Sequence, residues 1–258
     1  MKAHPTAIVH PGARLACSVT IGPYAVIGEG VALGEDCEVM SHAVLSGPTT
    51  MSKGNRIFPF ASIGLDPQDM KYAGEPTRLE IGDANVFREF VTVHRGTAGG
   101  GGVTRIGSHN LLMAYVHIAH DCRLGDHIVM ANGASLSGHV EIQDHAIVGA
   151  FCGIHQFTRL GAYSYLGAYT VVNQDILPYM KTTAERPMAV LGPNRLGLER
   201  AGITTQDIEE LGAAFRLLSR SKLNTTQAIE AIKAEGFKSP HVRVLVEFIK
   251  SSERGIAK

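Results

Sequence analysis

The sequence has no tryptophan, and aromatic residues make up only 6% of its 258 positions. No apolar run approaches the ~20 residues that a membrane-spanning helix needs, and the opening residues, MKAHPTAIVHPG, lack the apolar core of a signal peptide. Lysine plus arginine equal aspartate plus glutamate, 24 against 24, which argues against a general nucleic-acid binder. These absences predict a cytoplasmic protein without a transmembrane segment.

Cysteine is also scarce. The four cysteines are Cys17, Cys37, Cys122 and Cys152, and none of them forms a C-x-x-C pair. Zinc ribbons and thiol redox motifs depend on such pairs, so a metal or redox role for these residues is disfavoured. We expect reduced cysteines that serve as small, inward-facing residues.

What the sequence does have is a period of six. A helix repeats every 3.6 residues and a half-buried strand every 2, so neither explains this period. Hexapeptide repeats are typical of a parallel β-helix, in which the recurring apolar residue, here called the anchor, fills the axis. The anchors are Val9, Leu15, Ile21, Ile27, Leu33, Val39, Leu45, Met51, Ile57, Ile63, and then Ile106, Leu112, Ile118, Leu124, Met130, Leu136, Ile142, Val148, Ile154, Leu160, Leu166 and Val172. The fold-class prediction is therefore mainly β, with the chemistry on the outside of a solid prism.

Three hexapeptides would make one coil of about 18 residues. Two segments break the rhythm, near 64–80 and 95–105, and the second contains the run RGTAGGGG. A solenoid accepts insertions only as loops on its surface, so both segments are predicted to be external loops. For the glycine-rich segment, a surface loop without a function and a loop at a binding face remain equally open.

After Val172 the pattern becomes helical. Thr204 or Thr205 is placed to cap one helix, Asn224 a second, and Ser239-Pro240 opens a third. We predict a β-helix over 1–190 and a helical domain over 191–258 that covers the exposed end of the sheets.

Eight of the twelve histidines fall between His94 and His155. None of the eight occupies an anchor or the small position four residues later, so all of them should face outward. His117, His120, His139 and His155 lie within about two coils of one another. A step of one coil links His120 to Gly138 and then to Gln156, and these three should form one column.

Outward histidines suit acid–base chemistry, because an imidazole titrates near neutral pH. A base of this kind can activate a hydroxyl for acyl transfer, and a carboxylate such as Asp121 can hold the ring in one tautomer. The backbone N–H of a glycine such as Gly138 can stabilise the oxyanion. No serine or cysteine lies in a nucleophile motif, so direct transfer is simpler than an acyl-enzyme.

Two other classes of function compete with this interpretation. Trimeric β-helix hydratases of the carbonic anhydrase type bind zinc through histidines, but no His-x-x-x-x-His occurs here. His117 and His120 are three residues apart and would need a third ligand from a neighbouring subunit. A purely structural β-helix would not concentrate titratable groups in one segment. The sequence thus favours an enzyme without a metal.

Several longer motifs closely resemble the UDP-N-acetylglucosamine O-acyltransferase family of lipid A biosynthesis, over essentially the whole chain. They are PQDMKYAGEPTRLEIGD (67–83), VTVHRGT (91–97), SHNLLMAYVHIAHDC (108–122), ANGASLSGHVEIQDHAIVG (131–149) and IHQFTRLGAYSYLGA (154–168). The resemblance implies a left-handed β-helix and a homotrimer with sites between neighbouring prisms. It also implies transfer of an (R)-3-hydroxyacyl group from acyl carrier protein to the glucosamine 3-hydroxyl. No cofactor is implied beyond the carrier's phosphopantetheine, and a 3-amino acceptor remains an alternative.

The same resemblance assigns roles to residues. It implies that His120 is the general base, that Asp121 supports it, and that Gly138 supplies the oxyanion N–H. The substrate contacts that it implies come from Gln68, Asp69, Lys71, His117, His139, His155, Gln156, Asn194 and Arg200.

The chain departs from the family pattern at three positions. Ala201 follows Arg200 where a second basic residue is frequent, and Leu196 replaces a glutamate that some members have. Ala168 stands where members that prefer long acyl chains have glycine, which predicts a shorter donor.

The helical domain carries eleven lysines and arginines against eight acidic residues, an excess of three positive charges. The carrier protein is acidic in this family, so the domain is expected to dock it. The candidate docking residues are Arg216, Arg220, Lys222, Lys238 and Arg243.

Overall fold

The computed structural model describes residues 1–184, 188–219, 221 and 223–258. Within these residues, most of the chain winds into a left-handed parallel β-helix, as the repeats and the resemblance predict. Its short strands fall into three sheets, one for each side of a triangular prism.

The strands of the first sheet are Lys2–Ala3, Thr20–Ile21, Glu38–Val39, Arg56–Ile57, Val86–Phe87, Leu111–Leu112, Val129–Met130, Ile147–Val148, Tyr165–Leu166, Met180–Thr182 and Val190–Pro193. Those of the second sheet are Ile8–Val9, Val26–Ile27, Val44–Leu45, Ser62–Leu65, Thr92–His94, His117–Ile118, Ser135–Leu136, Gly153–Ile154 and Val171–Val172. The third sheet contains Arg14–Leu15, Val31–Leu33, Thr49–Met51, Arg78–Ile81, Val103–Ile106, Arg123–Leu124, Glu141–Ile142 and Arg159–Leu160.

The register has the predicted coil length. His117 pairs with Ser135, and Ser135 pairs with Gly153, which is a step of 18 residues each time. The step lengthens only where a loop is inserted, so that Thr92 pairs with His117. The insertions therefore leave the parallel stack intact and project from its surface.

The anchors form the core. From Ile21 to Val172 each predicted anchor is at most 4% exposed, whereas Val9 and Leu15, near the open end of the prism, are half-buried. One further coil lies between the two insertions, and its anchors are Ile81, Phe87 and Val93.

A buried ladder of asparagines was not anticipated. Asn55, Asn85 and Asn110 occupy the inward position four residues after an anchor, and each is at most 1% exposed. The side-chain oxygen of Asn55 accepts hydrogen bonds from Asn85, and that of Asn85 accepts one from the Asn110 N–H. Each buried amide is thus paired with the next coil, as buried polar groups require.

The corners of the prism have a characteristic backbone. The residue three positions after an anchor often adopts a left-handed conformation, with φ of 61° at Asp121 and at His139 and 62° at Phe157. Successive coils align these residues into columns along three edges. We name each edge by the sheet whose strands precede it, so Asp121 and His139 lie on the second edge.

The last part of the chain is helical. The helices are α1 (Arg195–Arg200), α2 (Thr205–Ser219), α3 (Thr225–Ala234) and α4 (Pro240–Lys250). Asn224 and Gln227 form a capping box at α3, and Ser239 caps α4 with proline at its start. The predicted domain boundary after residue 190 falls within Val190–Pro193, which pairs antiparallel with Met180–Thr182. No described helix is long and apolar enough to cross a membrane.

The helices pack on the end of the prism. Arg159 donates to the Asp175 carboxylate at 3.1 Å and to the Phe248 carbonyl oxygen at 3.1 Å, which ties the last coils to α4. Asp175 is fully buried and also bridges to Ile256 near the end of the chain. The open sheet edge at this end is thereby covered.

Candidate active site

The turn after the strand His117–Ile118 places the His120 imidazole and the Asp121 carboxylate on the second edge. Nδ1 of His120 lies 2.8 Å from Oδ2 of Asp121. The His120 side chain is 15% exposed and that of Asp121 is 1% exposed. A neutral His120 that donates its Nδ1–H to this carboxylate presents Nε2 as a free acceptor, which is the tautomer that a general base needs.

Asp121 is fixed from two sides. Its carboxylate accepts hydrogen bonds from the Thr97 N–H at 2.9 Å and from the Thr97 hydroxyl at 2.6 Å. Its own N–H donates to the Thr104 hydroxyl at 2.8 Å. Thr97 and Thr104 both belong to the glycine-rich insertion, and no sequence pattern places either of them beside Asp121.

Gly138 lies one coil along the same edge. A Cβ atom added to Gly138 would stand 2.5 Å from Cε1 and 2.8 Å from Nε2 of His120, so a side chain at this position would displace the ring. Among the described residues, no group accepts a hydrogen bond from the Gly138 N–H. The free donor is therefore close to the free acceptor of His120, as an oxyanion site requires.

His139 completes the cluster. Its ring stacks on Phe157 with centroids 4.4 Å apart and meets His120 edge-on at 5.2 Å. Burial lowers the pKa of His139 more than any other cause, and the charges of Asp121 and, more weakly, Asp69 act in the opposite direction. The first insertion thus brings the Asp69 carboxylate into electrostatic reach of this histidine.

His117 and His94 lie on the other side of His120. Nδ1 of His117 is 2.8 Å from the Thr92 hydroxyl, and its ring meets that of His94 edge-on. Burial, followed by the neighbouring His120, lowers the pKa of His117. Burial also lowers the pKa of His94 to about 4. Both rings are consequently neutral at physiological pH.

The first insertion carries the predicted sugar-nucleotide residues. Gln68 and Lys71 are exposed and Asp69 is half-buried, with the Lys71 N–H donating to Asp69 at 2.9 Å. The guanidinium of Arg95 is buried beneath the loop and donates to the Gly64 carbonyl oxygen and to the Asp66 carboxylate. Arg95 was not a candidate from the sequence, because its burial depends on how the loop packs against the prism.

The other predicted residues are spread over the prism. The register places Gln156 in the column of His120 and Gly138, two coils away, and both His155 and Gln156 are exposed. Nδ1 of His155 lies 3.1 Å from Arg254.

Three predicted residues lie away from the second edge. Asn194 precedes α1, a helix the sequence did not predict, and its amide donates to the Tyr163 carbonyl oxygen on the third edge. Arg200 ends α1 and is exposed, and Ala168 lies on the first edge. Within one chain, therefore, these three do not meet His120.

A metal ion has one possible donor set among the described residues. It consists of His120, Asp121 and His139, whose ligand atoms lie within 4.8 Å of one another. Both oxygens of Asp121 already accept hydrogen bonds from Thr97, and one also contacts His120. An ion there would displace these bonds, so the arrangement fits the acid–base pair better than a metal.

The chain is similar to known proteins in its sequence and in its structure. The family model described as "Udp N-acetylglucosamine O-acyltransferase; Domain 2" matches residues 175–257. The acyl-[acyl-carrier-protein]–UDP-N-acetylglucosamine O-acyltransferase of Thiobacillus denitrificans is 50% identical over 253 residues, 98% of each chain. That of Alkalilimnicola ehrlichii is 51% identical over 98% of this chain and 97% of its own.

Solved structures agree with the sequences. The UDP-N-acetylglucosamine O-acyltransferase of Moraxella catarrhalis covers 100% of both chains with a TM-score of 0.96 at 40% identity. These relatives do not favour the zinc hydratase alternative. By sequence and by structure, the chain belongs to the acyl-[acyl-carrier-protein]–UDP-N-acetylglucosamine O-acyltransferases, a family of acyltransferases.

Proposed function

We propose that the chain transfers an (R)-3-hydroxyacyl group from acyl carrier protein to the glucosamine 3-hydroxyl of UDP-N-acetylglucosamine, the first step of lipid A biosynthesis. The relatives' names support the donor and acceptor classes. The observation that carries the mechanism is the 2.8 Å contact between His120 Nδ1 and Asp121, which leaves Nε2 of His120 beside Gly138.

The proposed reaction is a direct displacement. Nε2 of His120 removes the proton from the sugar 3-hydroxyl, and the oxygen attacks the thioester carbonyl of the donor. The developing oxyanion accepts a hydrogen bond from the Gly138 N–H. The intermediate then collapses, the C–S bond breaks, and the phosphopantetheine thiolate leaves and takes the proton from His120. A new C–O ester bond replaces the thioester.

The cysteines give no support to a covalent acyl-enzyme. Cys122 is fully buried next to Asp121, and burial raises the pKa of its thiol to about 12. Burial raises the pKa of the Cys37 and Cys152 thiols as well. A cysteine must be a thiolate to act as a nucleophile, and these three are held as thiols. All four cysteines are free, which accords with the predicted cytoplasmic location.

A homotrimer is part of the proposal. Asn194, Arg200 and Ala168 lie away from the edge that carries His120, so a cleft between two prisms would unite residues that one chain keeps apart. The first edge also presents an exposed aromatic column that includes Phe60, 49% exposed, and Tyr115, 62% exposed. Such a surface favours a protein partner. Light scattering should give three times the chain mass, and a monomer that is fully active would contradict this part.

The reaction itself is tested by mass spectrometry of the product. Purified protein is incubated with a panel of hydroxyacyl carrier proteins and with both the 3-hydroxy and the 3-amino sugar nucleotide. We expect acylation of the 3-hydroxy acceptor, lowered about 10²–10⁴-fold in His120→Ala, the usual contribution of a general base. Preference for the 3-amino acceptor would overturn the substrate assignment. Near-full activity of His120→Ala would overturn the base, and His117 and His155 would be the next candidates.

A further inference from the structure

The glycine-rich insertion closes over the carboxylate that supports His120. Thr97 begins a short 3-10 helix, Ala98–Gly100, and its side chain accepts a hydrogen bond from the Gly100 N–H at 3.2 Å. The same residue donates its backbone N–H to one Asp121 oxygen and its hydroxyl to the other. One residue of the loop therefore contacts both oxygens of a carboxylate that is buried on the second edge.

We propose that Thr97 is a positioning residue for acyl transfer, which acts by fixing the Asp121 carboxylate so that Nδ1 of His120 is held and its Nε2 faces the acceptor. The inference rests on the proposed role of His120 as the base. The inference assigns a role to the RGTAGGGG segment, which the sequence alone did not decide.

The bonding of Asp121 explains why one residue suffices. Oδ2 receives both the Thr97 hydroxyl at 2.6 Å and His120 Nδ1 at 2.8 Å. Oδ1 receives the Thr97 N–H, and the backbone N–H of Asp121 is held by Thr104. Without the hydroxyl, the loop holds the carboxylate only through the Thr97 N–H on Oδ1, and Oδ2 is left with His120 alone. The carboxylate then gains freedom to rotate. A general base that is displaced by a fraction of an ångström loses much of its rate.

The glycines of the loop differ in why each position has no side chain. A Cβ atom at Gly100 would lie 1.9 Å from the Asp121 side-chain carbon, so the loop can approach the carboxylate only with glycine at this position. Gly101 and Gly102 adopt left-handed φ values of 91° and 77°, which other residues rarely adopt. At Gly99, by contrast, an added Cβ meets nothing within 4 Å.

The loop is also joined to the insertion that carries Asp69 and Lys71. Glu75 accepts a hydrogen bond from the Ala73 N–H at 2.8 Å within that insertion. Its other oxygen accepts one from the Ala98 N–H at 3.4 Å, directly after Thr97. The proposed sugar-nucleotide loop and the support of the base are thereby held together.

The first experiment compares Thr97→Val, Thr97→Ser and wild type with the carrier-linked donor and the sugar nucleotide. Valine has the shape of threonine but no hydroxyl, and serine restores it. We expect kcat to fall about 10- to 100-fold in Thr97→Val with nearly unchanged KM, and to recover in Thr97→Ser. Thr77→Val is the matched control, because the buried Thr77 hydroxyl has no hydrogen-bond partner among the described residues.

The second experiment asks whether Thr97 acts through Asp121. In an Asp121→Ala background, Thr97→Val should cause no further loss, whereas independent effects would multiply. Gly100→Ala should lower kcat because its methyl displaces the carboxylate, and Gly99→Ala should not. Melting temperatures of all variants are measured in parallel, and the glycine pair tests the proposal even if Thr97→Val folds poorly.

Three results would overturn the inference: wild-type kcat in both Thr97→Val and Gly100→Ala, multiplied losses in the double variant, or failure of serine to restore the rate. His120→Ala is assayed alongside. If His120→Ala is inactive while Thr97→Val and Gly100→Ala both equal wild type, the inference alone fails. If His120→Ala keeps near-full activity, the proposed function of the base has failed first.

Discussion

The imidazole of His120 rests on the backbone of Gly138, one coil further along the prism. The close approach leaves no room for a side chain at Gly138, because a Cβ atom there would stand 2.5 Å from Cε1 of the ring. The ring is also held by Asp121, whose Oδ2 lies 2.8 Å from Nδ1 of His120. The position of the base is therefore set by a glycine and a carboxylate that come from successive coils.

Gly138→Ala should displace the base without unfolding the protein. The added methyl meets the end of a movable side chain rather than backbone, so the His120 ring shifts and its bond to Asp121 weakens. The N–H of residue 138 is kept, which isolates the effect on the base. We expect kcat to fall about 100-fold. Gly153→Ala is the control, since an added Cβ there meets nothing within 4 Å; equal kinetics for the two variants would contradict the geometry.

The sequence predicted the prism well because its determinants are local and periodic. Each hexapeptide carries its own anchor, and anchors from Ile21 to Val172 are buried in the expected register. The caps predicted at Asn224 and Ser239 likewise mark the starts of α3 and α4, because each residue directly precedes its helix. Helix α1 was missed because its six residues, Arg195–Arg200, are too few for a periodic signal.

The support of the base could not be read from the sequence. Thr97 lies 24 residues before Asp121, and the coil step at this level is 25 rather than 18 because of the insertion. A loop with no repeat has no register, so its contacts depend on three-dimensional packing. The same holds for Arg95, whose partners Gly64 and Asp66 are about thirty residues away.

Acid should destabilise the fold through His94. This side chain is 5% exposed, and burial lowers its pKa from 6.5 to about 4. Between these values the unfolded chain binds a proton that the folded chain does not, so stability falls as the pH falls through this window. The loss approaches about 3 kcal/mol as an upper bound.

The measurement is denaturant unfolding of wild type and His94→Asn above pH 6.5 and near pH 4. We expect a flatter pH dependence in the variant, although the lowered pKa of His117 contributes to the remaining slope. The exposed His109→Asn is the control. Identical slopes for wild type and His94→Asn would show that His94 is not the group responsible.

Removal of metal should leave the activity intact. His120, Asp121 and His139 are close enough to hold an ion, but Thr97 and His120 already use the Asp121 oxygens. We expect unchanged kcat after treatment with excess EDTA and less than one zinc per chain by elemental analysis. A complete loss that zinc restores would return a metal-dependent mechanism to consideration.

Charge reversal in the helical domain should weaken the carrier-linked donor. Arg216 lies in α2, Lys238 precedes α4, and Arg243 lies in α4 beside a cavity of about 370 Å³ between α3 and α4. The candidates Arg220 and Lys222 lie outside the described residues. Replacement of the true docking residue by glutamate should raise KM for the carrier, less so at high salt.

The matched control for this series is Arg14→Glu, in the first coils at the opposite end of the prism. Its KM should equal that of wild type at every salt concentration. If all five reversals in the helical domain also behave like wild type, the carrier docks on another surface.

Ala168 should shorten the acyl chain that the enzyme prefers. The residue is half-buried on the first edge, directly before Tyr169, which is 61% exposed and whose ring stacks on that of Phe151. In a groove between two rigid prisms, the residue that blocks the end of the groove limits the length of the acyl chain. One additional methyl in a close-packed groove costs about 1 kcal/mol or more when it clashes. The preferred donor is therefore expected to be shorter than the longest in the family.

Ala168→Gly should extend the preference upward and leave the short donors usable. We expect the ratio of kcat/KM for long over short donors to rise about fivefold, which corresponds to about 1 kcal/mol. Leu166 cannot set the length, because it is fully buried in the axis, but the 39% exposed Tyr165 can. The comparison variant is thus Tyr165→Phe, which keeps the ring. An unchanged donor profile in Ala168→Gly would mean that Ala168 faces away from the groove and that another residue of this edge limits the chain.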